Sequence, residues 1–395
     1  MSIFVVAAKR TPFGSFGGSL KALSATDLCE VSTKAALAQG NVDPKIVDGV
    51  YVGNVIQSSP DAAYLARHVG LKSDIPVSTQ ALTINRLCGS GFETVAQGAQ
   101  AIQLGLANVT VCGGSENMSA APMQVDGNAA RWGVALGKGM QMTDSLWSGL
   151  TDSYAGTPMG VTAENLAKKY NITREECDEF AVRSQQTWGK AKEAGHFDAE
   201  IAPIEVKTRK GMVTIDTDEH PKPSTTVEQI SKLRPVFDKE GVVTAAGASG
   251  ICDGAGTIIL ASEAAVKKHN LKPLCKLTAW NSAGCEPTEM GIGPVPAIKN
   301  ALAIANKSLS DVDRVEINEA FAAQFLSCAK ELELDMSKTN INGGAISLGH
   351  PLGASGSRIV AHLANEFARN EDLNVAVGSA CIGGGQGIAV VLERC

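Results

Sequence analysis

The sequence lacks several features, and each absence argues against a class of protein. Aromatic residues make up only 5% of the 395 positions, and the net charge of −6 offers no general attraction to nucleic acid. No apolar run approaches the roughly 20 residues that a membrane span needs. The ten cysteines include no CxxC pair, so we expect free thiols in a reducing compartment, without a disulfide framework or a metal site.

Glycine and small apolar residues are plentiful instead. The chain holds 41 glycines and is 44% hydrophobic, which allows a large buried core and more than one domain. With so few aromatic residues, this composition favours close packing of helices on a sheet. Short apolar runs alternate with helical patterns near both ends of the chain, which predicts α/β units around a mostly parallel sheet.

The two ends of the chain also resemble each other. Residues 33–53 align with residues 298–318, and residues 87–100 align with residues 352–365, at one shift of 265 positions. A single register that holds over this distance indicates an internal duplication. The alternative is the general similarity of helices that are rich in Ala and Gly.

We therefore expect an α/β protein of two duplicated halves that are related by a pseudo-twofold axis, in a layered αβαβα arrangement with an inserted loop domain. The predicted N-terminal half covers 1–120, and the C-terminal half covers 270–395. The segment between them, 121–269, carries charged and Pro-containing stretches and returns to the first half at its end. Equivalent helix N-termini should then face each other, and a site at that junction would draw residues from both halves.

The first candidate for chemistry is Cys88, in the segment NRLCGSGF. Gly89 and Gly91 let the backbone approach closely, and a helical pattern follows. A helix N-terminus favours a thiolate and supplies N–H groups for an oxyanion. A buried structural cysteine is the alternative. However, the equivalent position in the second copy is Gly353, so only one copy keeps the thiol.

The second candidate is His350, which lies in the segment SLGHPLGASG just before the equivalent helix. Its counterpart is Asn85, three residues before Cys88. The duplication therefore predicts that the imidazole and the thiol meet at the junction. Pro351 and the neighbouring glycines indicate a rigid turn. A structural histidine is the alternative.

Two further segments carry polar or reactive groups. Cys381 lies in the turn ACIGGG between two strand-like runs, and N–H groups such as that of Gly383 form a second candidate oxyanion site. A phosphate-binding loop is the rival interpretation, but a strand-like run follows and not a helix. Asn318 follows the run RVEI, at the strand end where open α/β sheets place their sites.

Together these four segments resemble the thiolase family, and the likeness covers essentially the whole chain. The segments AAKRTPFGSFGG, MGVTAEN and GIGPVPAIKNAL fit the family as well. The resemblance implies the thiolase fold and an acyltransferase that cleaves a 3-ketoacyl-CoA with CoA, as in the last step of fatty-acid β-oxidation. The alternative within the family is the biosynthetic condensation of two acetyl-CoA molecules.

The resemblance also implies a role for each residue. Cys88 would take up the acyl group, and His350 would accept its proton. Cys381 would protonate the departing acetyl-CoA enolate and later activate the incoming CoA thiol. Asn318 would hold a water beside His350 in one oxyanion hole, and the N–H groups of Cys88 and Gly383 would form the other.

The resemblance implies that coenzyme A acts as a co-substrate, with no bound cofactor and no metal. Two departures from the family pattern stand out. Residues 244–250 read TAAGASG where TAGNASG is usual, and Pro158-Met159 replaces the His-Met of typical biosynthetic members, which favours the degradative reaction. The residues that the resemblance assigns to CoA binding are Met159, Lys222, Phe237, Ser249, Ala320 and Phe321.

Other functions fit part of the pattern. A ketoacyl synthase would pair its cysteine with two histidines, a cysteine hydrolase would leave Cys381 without a purpose, and a binding module would lose at least one of the four groups. The resemblance further implies a homo-oligomer, dimer or homotetramer, with 125–141 as a candidate assembly loop. It also implies the mitochondrial matrix, with the cytoplasm as the alternative, and no cleavable presequence is evident.

Overall fold

The computed structural model describes residues 2–209 and 211–395. The strands are β1 (Ile3–Arg10), β2 (Gly14–Ser15), β3 (Gly49–Gly53), β4 (Gln80–Ile84), β5 (Val109–Asn117), β6 (Met123–Val125), β7 (Met142–Asp144), β8 (Thr151–Asp152), β9 (Thr157–Pro158), β10 (Ile204–Thr208), β11 (Gly211–Ile215), β12 (Cys252–Ser262), β13 (Cys275–Gly284), β14 (Arg314–Ile317), β15 (Val375–Ile382) and β16 (Gln386–Glu393).

The α-helices are α1 (Ala25–Gln39), α2 (Leu65–Lys72), α3 (Ser90–Gln103), α4 (Gly127–Trp132), α5 (Ser145–Gly149), α6 (Met159–Tyr170), α7 (Arg174–Glu193), α8 (Val227–Ile230), α9 (Glu263–His269), α10 (Pro294–Ile304), α11 (Ala322–Leu332), α12 (Ala345–Leu348) and α13 (Ser355–Arg369). Short 3₁₀ helices cover Pro44–Ile46, Ala62–Tyr64, Pro287–Ile292 and Leu309–Asp311.

One large sheet runs through the molecule in the order β14-β15-β16-β13-β1-β12-β5-β3-β4, with β2 beside β12. From the central pair outward, β1, β12, β5 and β3 on one side correspond to β13, β16, β15 and β14 on the other. The strand β3 starts at Gly49 and β14 at Arg314, which is the shift of 265 found in the sequence. The predicted pair of duplicated α/β halves is therefore confirmed, and the halves join where β1 pairs with β13.

The prediction of a mostly parallel sheet is wrong, because the sheet is mixed. Among the described strands of the large sheet, β3 pairs in parallel with β4 and β5, and β14 pairs in parallel with β15. A tight turn joins β15 to β16 and reverses the chain, and β12 returns from the inserted segment to run antiparallel between β1 and β5. Strands joined in these ways need no crossover helix, so antiparallel pairing follows.

Helices α3 and α13 form the centre of the molecule. Their apolar side chains share one core with strands of both halves, and every residue of α13 from Ser355 to Phe367 is buried. The two helices touch through glycine. A Cβ atom at Gly91 would lie 2.5 Å from the Ser357 nitrogen, and one at Gly356 would lie 2.3 Å from the Phe92 nitrogen. This close approach brings the N-termini of the two helices side by side.

The outer helices cover the remaining faces of the sheet, α1 and α2 on the first half and α10 and α11 on the second. Capping boxes fix helix starts, at Ser24 with Asp27 for α1 and at Thr173 with Glu176 for α7. The chain between β5 and β12 forms helices α4 to α8 and short hairpins outside the large sheet. The boundaries 1–120, 121–269 and 270–395 themselves stay a prediction.

Among the residues that the structure describes, no helix is both long enough and apolar enough to cross a membrane. All ten cysteines are free thiols, as expected from their spacing. Most of them are buried, while Cys88 and Cys285 are half-buried and Cys395 is exposed.

Candidate active site

Cys88 stands in a tight turn between β4 and α3. The turn places Leu87 in the left-handed region at φ 46°. The Ser90 hydroxyl closes the turn, because it accepts from the Arg86 N–H at 2.8 Å and donates to the Leu87 carbonyl at 2.7 Å. The thiol is half-buried and accepts a hydrogen bond from the Gly383 N–H. The nucleophile candidate therefore lies just ahead of a helix, where the sequence predicted it.

The surroundings of the sulfur oppose the thiolate that we expected at this helix start. Burial raises the pKa of the Cys88 thiol to about 11, and the Gly383 N–H only partly offsets that rise. A carboxylate nearby, Glu116, adds to the rise. Because α3 can offset only part of the cost of burying a negative charge, the resting group is a neutral thiol.

His350 is buried, and hydrogen bonds fix both its backbone and its ring. Its backbone N–H donates to the Gly250 carbonyl at 2.8 Å. Its Nδ1 lies 2.5 Å from the Ser355 hydroxyl, which itself donates to the Pro351 carbonyl at 3.1 Å. An amide NH₂ group can only donate, so the Asn318 contact at Nε2 favours a lone pair on Nε2 and the imidazole proton on Nδ1. The Nε2 atom lies 3.4 Å from Nδ2 of Asn318.

Burial also sets the charge of His350. It lowers the pKa of the imidazole to about 3, and the positive charge of Arg358 lowers it further. The ring is therefore neutral at physiological pH and able to accept a proton at Nε2. A neutral thiol beside a neutral imidazole means that proton transfer accompanies attack on a substrate and does not precede it.

Asn318 is completely buried at the end of β14, and its N–H donates to the Ser379 carbonyl at 2.9 Å. Its side-chain amide points its Nδ2 at His350. Its Oδ1 has no hydrogen-bond partner among the described residues. Because a buried polar atom without a partner is costly, this amide is a candidate to bind a substrate group or a water.

Cys381 is the last residue but one of β15, and its thiol is completely buried. It packs with Met290 and Ala320, and with the half-buried Met159 and Phe321. Burial raises the pKa of this thiol well above its ordinary value, and the neighbouring Cys88 adds to the rise. The predicted hairpin after it is confirmed, because β15 and β16 pair directly across the turn.

The turn of that hairpin depends on glycine. Gly384 and Gly385 have φ of 78° and 84°, and a Cβ atom at Gly385 would lie 2.4 Å from the Cys285 carbonyl. Gly383 turns its N–H toward the Cys88 sulfur. The Cys88 thiol and the His350 imidazole thus come from two turns, and the Cys381 thiol comes from the end of a strand, at the junction of the halves.

One cavity of about 340 Å³ joins most of the predicted site residues. Its walls are largely apolar, and Phe237 meets Phe321 edge-on with ring centroids 6.5 Å apart. The loop 244–250 forms one side, tied to the next loop by a hydrogen bond from the Ser249 N–H to the Ala320 carbonyl at 3.0 Å. The predicted residues that line the cavity are Cys88, Met159, Phe237, Ser249, Ala320, Phe321 and His350.

Lys222 lies outside this cavity. Its N–H donates to the Gln185 side chain at 2.7 Å, which holds the segment against α7. It lines a neighbouring depression with His220, and this depression meets the cavity at Ala245. The role of Lys222 in CoA binding stays a prediction.

Sequence reasoning missed several residues of the site. Ser355 orients His350, although its alignment with Ser90 across the duplication was a signal that the position matters. Met118, Trp147 and Leu352 line the cavity beside Cys88. These apolar residues carry no motif, so nothing in the sequence separated them from the core.

A fold of two matched halves, with a thiol, an imidazole and a second thiol at their junction, defines a cysteine-dependent acyltransferase. Family models place it further: one described as the thiolase N-terminal domain matches residues 3–264, and one described as the thiolase C-terminal domain matches residues 271–394. The chain belongs to the thiolase family.

Individual relatives agree with this assignment. The mitochondrial 3-ketoacyl-CoA thiolase of Homo sapiens is 59% identical over 391 residues, which cover 99% of this chain and 98% of that relative. The acetyl-CoA acetyltransferase of Escherichia coli (strain K12) is 48% identical, with the same coverage of each chain. The crystal structure of human mitochondrial 3-ketoacyl-CoA thiolase in complex with CoA matches with a TM-score of 0.97 at 57% identity, over 100% of this chain and 98% of that one.

Proposed function

We propose that the chain is a 3-ketoacyl-CoA thiolase, which uses CoA to cleave a 3-ketoacyl-CoA into acetyl-CoA and a shortened acyl-CoA. The observation that carries the proposal is that Cys88 and His350 line one apolar cavity. The Cys381 thiol lies directly behind the wall of this cavity, packed against Met290 and Ala320 and close to Cys88. Identity of 59% to a relative of that name supports the substrate class. Coenzyme A is a co-substrate, and the reaction needs no bound cofactor.

In the first half of the reaction, the Cys88 sulfur attacks the 3-keto carbon while its proton passes to Nε2 of His350. The 3-keto oxygen becomes an oxyanion, which the N–H groups of Cys88 and Gly383 stabilise, while His350 and a water on Asn318 hold the thioester oxygen of the departing enolate. The C2–C3 bond then breaks and leaves an acyl group on Cys88. The departing acetyl-CoA enolate takes the proton of the Cys381 thiol, which becomes a thiolate.

In the second half, the Cys381 thiolate takes the proton of an incoming CoA thiol. The CoA sulfur attacks the acyl group on Cys88, and the N–H groups of Cys88 and Gly383 stabilise the oxygen. The Cys88 sulfur leaves and regains its proton from His350. A buried Cys381 with a raised pKa suits this exchange, because the thiolate is a strong base that does not persist.

The cavity supports the degradative direction with acyl chains longer than acetyl. Met118 and Leu352 belong to a small apolar cluster against which Cys88 packs, and Trp147 and Leu150 extend the apolar wall. An acyl chain on the sulfur would bury its methylene groups there, at about 0.8 kcal/mol for each. The candidate CoA track runs along Met159, Phe237, Ser249 and Phe321.

The alternative is condensation of two acetyl-CoA molecules, and the 48% identity to an acetyl-CoA acetyltransferase favours it. The two directions share every step, so the acyl chain decides between them. A series of 3-ketoacyl-CoA substrates of increasing length separates the alternatives. A thiolase for longer chains keeps or gains kcat/KM with length, whereas an enzyme for acetoacetyl-CoA loses it.

The test of the activity is simple. Protein mixed with acetoacetyl-CoA should consume more than one equivalent of the 3-keto thioester only when CoA is added, and Cys88→Ala should keep less than about 1% of this turnover, because the sulfur forms the covalent intermediate. Cys395→Ala is a matched control, since that thiol is exposed and remote from the cavity. Continued turnover without CoA, beyond one equivalent per chain, would indicate a hydrolase and contradict the proposal.

We further propose a homo-oligomer, dimer or tetramer, located in the mitochondrial matrix. The segment 125–141 supports assembly, because it exposes Trp132, Leu136 and Met140 to solvent in the single chain. The name of the human relative supports the compartment. The Escherichia coli relative keeps the cytoplasm as the alternative.

A further inference from the structure

We propose that Glu116 is a positioning residue for the reaction, which fixes the turn after His350 against the loop that anchors the turn ahead of Cys88. The inference rests on the proposed function for its kinetic test. Glu116 is the last residue but one of β5 and is completely buried. It does not line the cavity, so its effect would pass through the residues that it holds.

The Glu116 carboxylate accepts four hydrogen bonds. One oxygen accepts from the Ile56 N–H at 2.9 Å and from Nδ2 of Asn54 at 3.0 Å. The other accepts from the Val55 N–H at 3.1 Å and from the Gly353 N–H at 2.9 Å. Three of these donors belong to the first half of the molecule and the fourth belongs to the second half.

The donors on both sides of the Glu116 carboxylate are connected to a reactive residue. On one side, the Val55 carbonyl accepts from the Asn85 side chain at 3.2 Å, and that side chain accepts from the Leu87 N–H at 3.0 Å. Leu87 immediately precedes Cys88. On the other side, Gly353 lies three residues after His350, in the same turn. A displacement of the carboxylate would therefore shift the thiol and the imidazole relative to each other.

The duplication shows which residues of the reactive site correspond to Glu116 and its partners. At the shift of 265 positions, Glu116 corresponds to Cys381, Gly353 to Cys88, and Asn85 to His350. The carboxylate thus stands in the unreactive copy of the site, and it accepts the N–H that corresponds to the N–H of Cys88. In the reactive copy, we assign that N–H to the oxygen of the substrate. The unreactive copy is filled by a buried carboxyl group and supports the reactive one.

The atoms around the hydrogen bond between Gly353 and Glu116 are closely packed. A Cβ atom at Gly353 would lie 2.8 Å from the Gly53 carbonyl and 2.9 Å from the Ser115 carbonyl. Burial raises the pKa of Glu116 to about 7, even though the N–H donors favour the carboxylate. A group that is this costly to bury and this fully bonded is expected to hold a fixed geometry.

The test replaces Glu116 by Gln, which has the same shape but presents an NH₂ group to two of the four donors. We expect kcat for thiolysis to fall about 10- to 100-fold while KM for CoA stays within about 3-fold, because CoA binds elsewhere. Alkylation of Cys88 by iodoacetamide, followed in the Cys88 peptide by mass spectrometry, should slow at least about 5-fold. Glu116→Asp should recover less than half of the kcat and less than half of the alkylation rate that Glu116→Gln loses. Its shorter side chain cannot bring the carboxylate to both halves.

A matched control is Glu366→Gln, on the last turns of α13. Glu366 is also buried and accepts from Nδ2 of Asn342 at 2.9 Å and from Nε of Arg314 at 3.1 Å. Its substitution should lower the unfolding temperature but leave kcat and Cys88 alkylation, per folded molecule, within about 2-fold. The comparison separates loss of stability from loss of positioning.

Two results would overturn the proposal. The first is Glu116→Gln with kcat and alkylation within 2-fold of the parent per folded molecule, which would leave Glu116 a role in stability alone. The second is faster alkylation, which removal of a negative charge near Cys88 predicts if no positioning is involved. If Glu116→Gln does not fold, Glu116→Asp decides by the same two measurements. A parent protein without CoA-dependent thiolysis would contradict the proposed function, and alkylation would still decide the role of Glu116.

Discussion

His350 shows how one uncharged neighbour can decide which atom reacts. The Asn318 amide donates to Nε2 at 3.4 Å, so Nδ1 carries the proton and donates it to the Ser355 hydroxyl at 2.5 Å. That contact leaves the lone pair on Nε2, facing Asn318 and the cavity. A histidine whose Nδ1 lacks this acceptor is free to rotate or to take the other tautomer.

We therefore expect Ser355→Ala to lower kcat/KM for thiolysis about 10- to 100-fold, equivalent to about 1.4–2.7 kcal/mol of transition-state stabilisation. Steady-state kinetics with acetoacetyl-CoA and CoA measures it. Ser357→Ala is the matched control, because its buried hydroxyl also bonds a carbonyl, that of Ala354 at 2.9 Å, without touching His350. Equal activity of the two variants would contradict the role of Ser355.

The sequence identified the reactive residues but carried no information about their protonation states. The duplication pointed to Cys88 and His350, because each differs from its counterpart in the other copy. It could not show that burial raises the pKa of one and lowers the pKa of the other. Burial depends on which side chains close over a group, and those come from distant parts of the chain.

Among the secondary-structure elements, local signals were reliable and pairings were not. The run of glycines after Cys381 predicted the hairpin of β15 and β16, because only a tight turn needs backbone at positive φ. The predicted parallel direction of the central strands was wrong. Their direction depends on β12, which returns from the inserted segment to the middle of the sheet.

The loops around the cavity show the same limit. The loop 244–250 is fixed by hydrogen bonds to the segment that follows β14, from the Ser249 N–H to the Ala320 carbonyl and from the Ala322 N–H to the Gly247 carbonyl. The family resemblance identified both segments. That they pack against each other follows from tertiary contacts and leaves no pattern in either stretch.

Across the whole molecule, a buried ionic network ties together the three segments of the chain. Arg10 on β1 lies 2.6 Å from Glu200 and 2.6 Å from Asp218 of the segment between the halves. Glu200 also lies 2.7 Å from Nδ1 of His362 on α13. No pattern around His362 indicated this role, because its ionic partner Glu200 lies 162 residues away in the chain.

The network predicts how stability depends on pH. Burial lowers the pKa of His362, but the negative charge of Glu200 overcomes this and raises it above the ordinary value. Its contribution to stability is therefore complete below the unfolded pKa of about 6.5 and is lost as the pH rises through the folded pKa. The pKa of Glu200 is lowered to about 2 in the folded state, so that group stays charged throughout this window.

We expect the free energy of unfolding of the parent to fall relative to that of His362→Gln as the pH rises from 6 to 9, by at most about 1.4 kcal/mol per pH unit. Urea unfolding at several pH values measures the difference. His269→Gln, at the end of α9, is the control and should follow the parent. A difference that does not change with pH would show that His362 is not charged in the folded protein.

The proposed reaction depends on two halves that deliver their thiols to one thioester. The most direct measurement is to mix the protein with acetoacetyl-CoA in the absence of free CoA, stop the reaction rapidly and locate the acetyl group by peptide mass spectrometry. We predict one acetyl group per chain, on Cys88, and at least about 100-fold slower acetylation in Cys381→Ala, because the enolate then lacks its acid. An acetyl group on another residue, or acetylation of Cys381→Ala at the rate of the parent, would contradict the account.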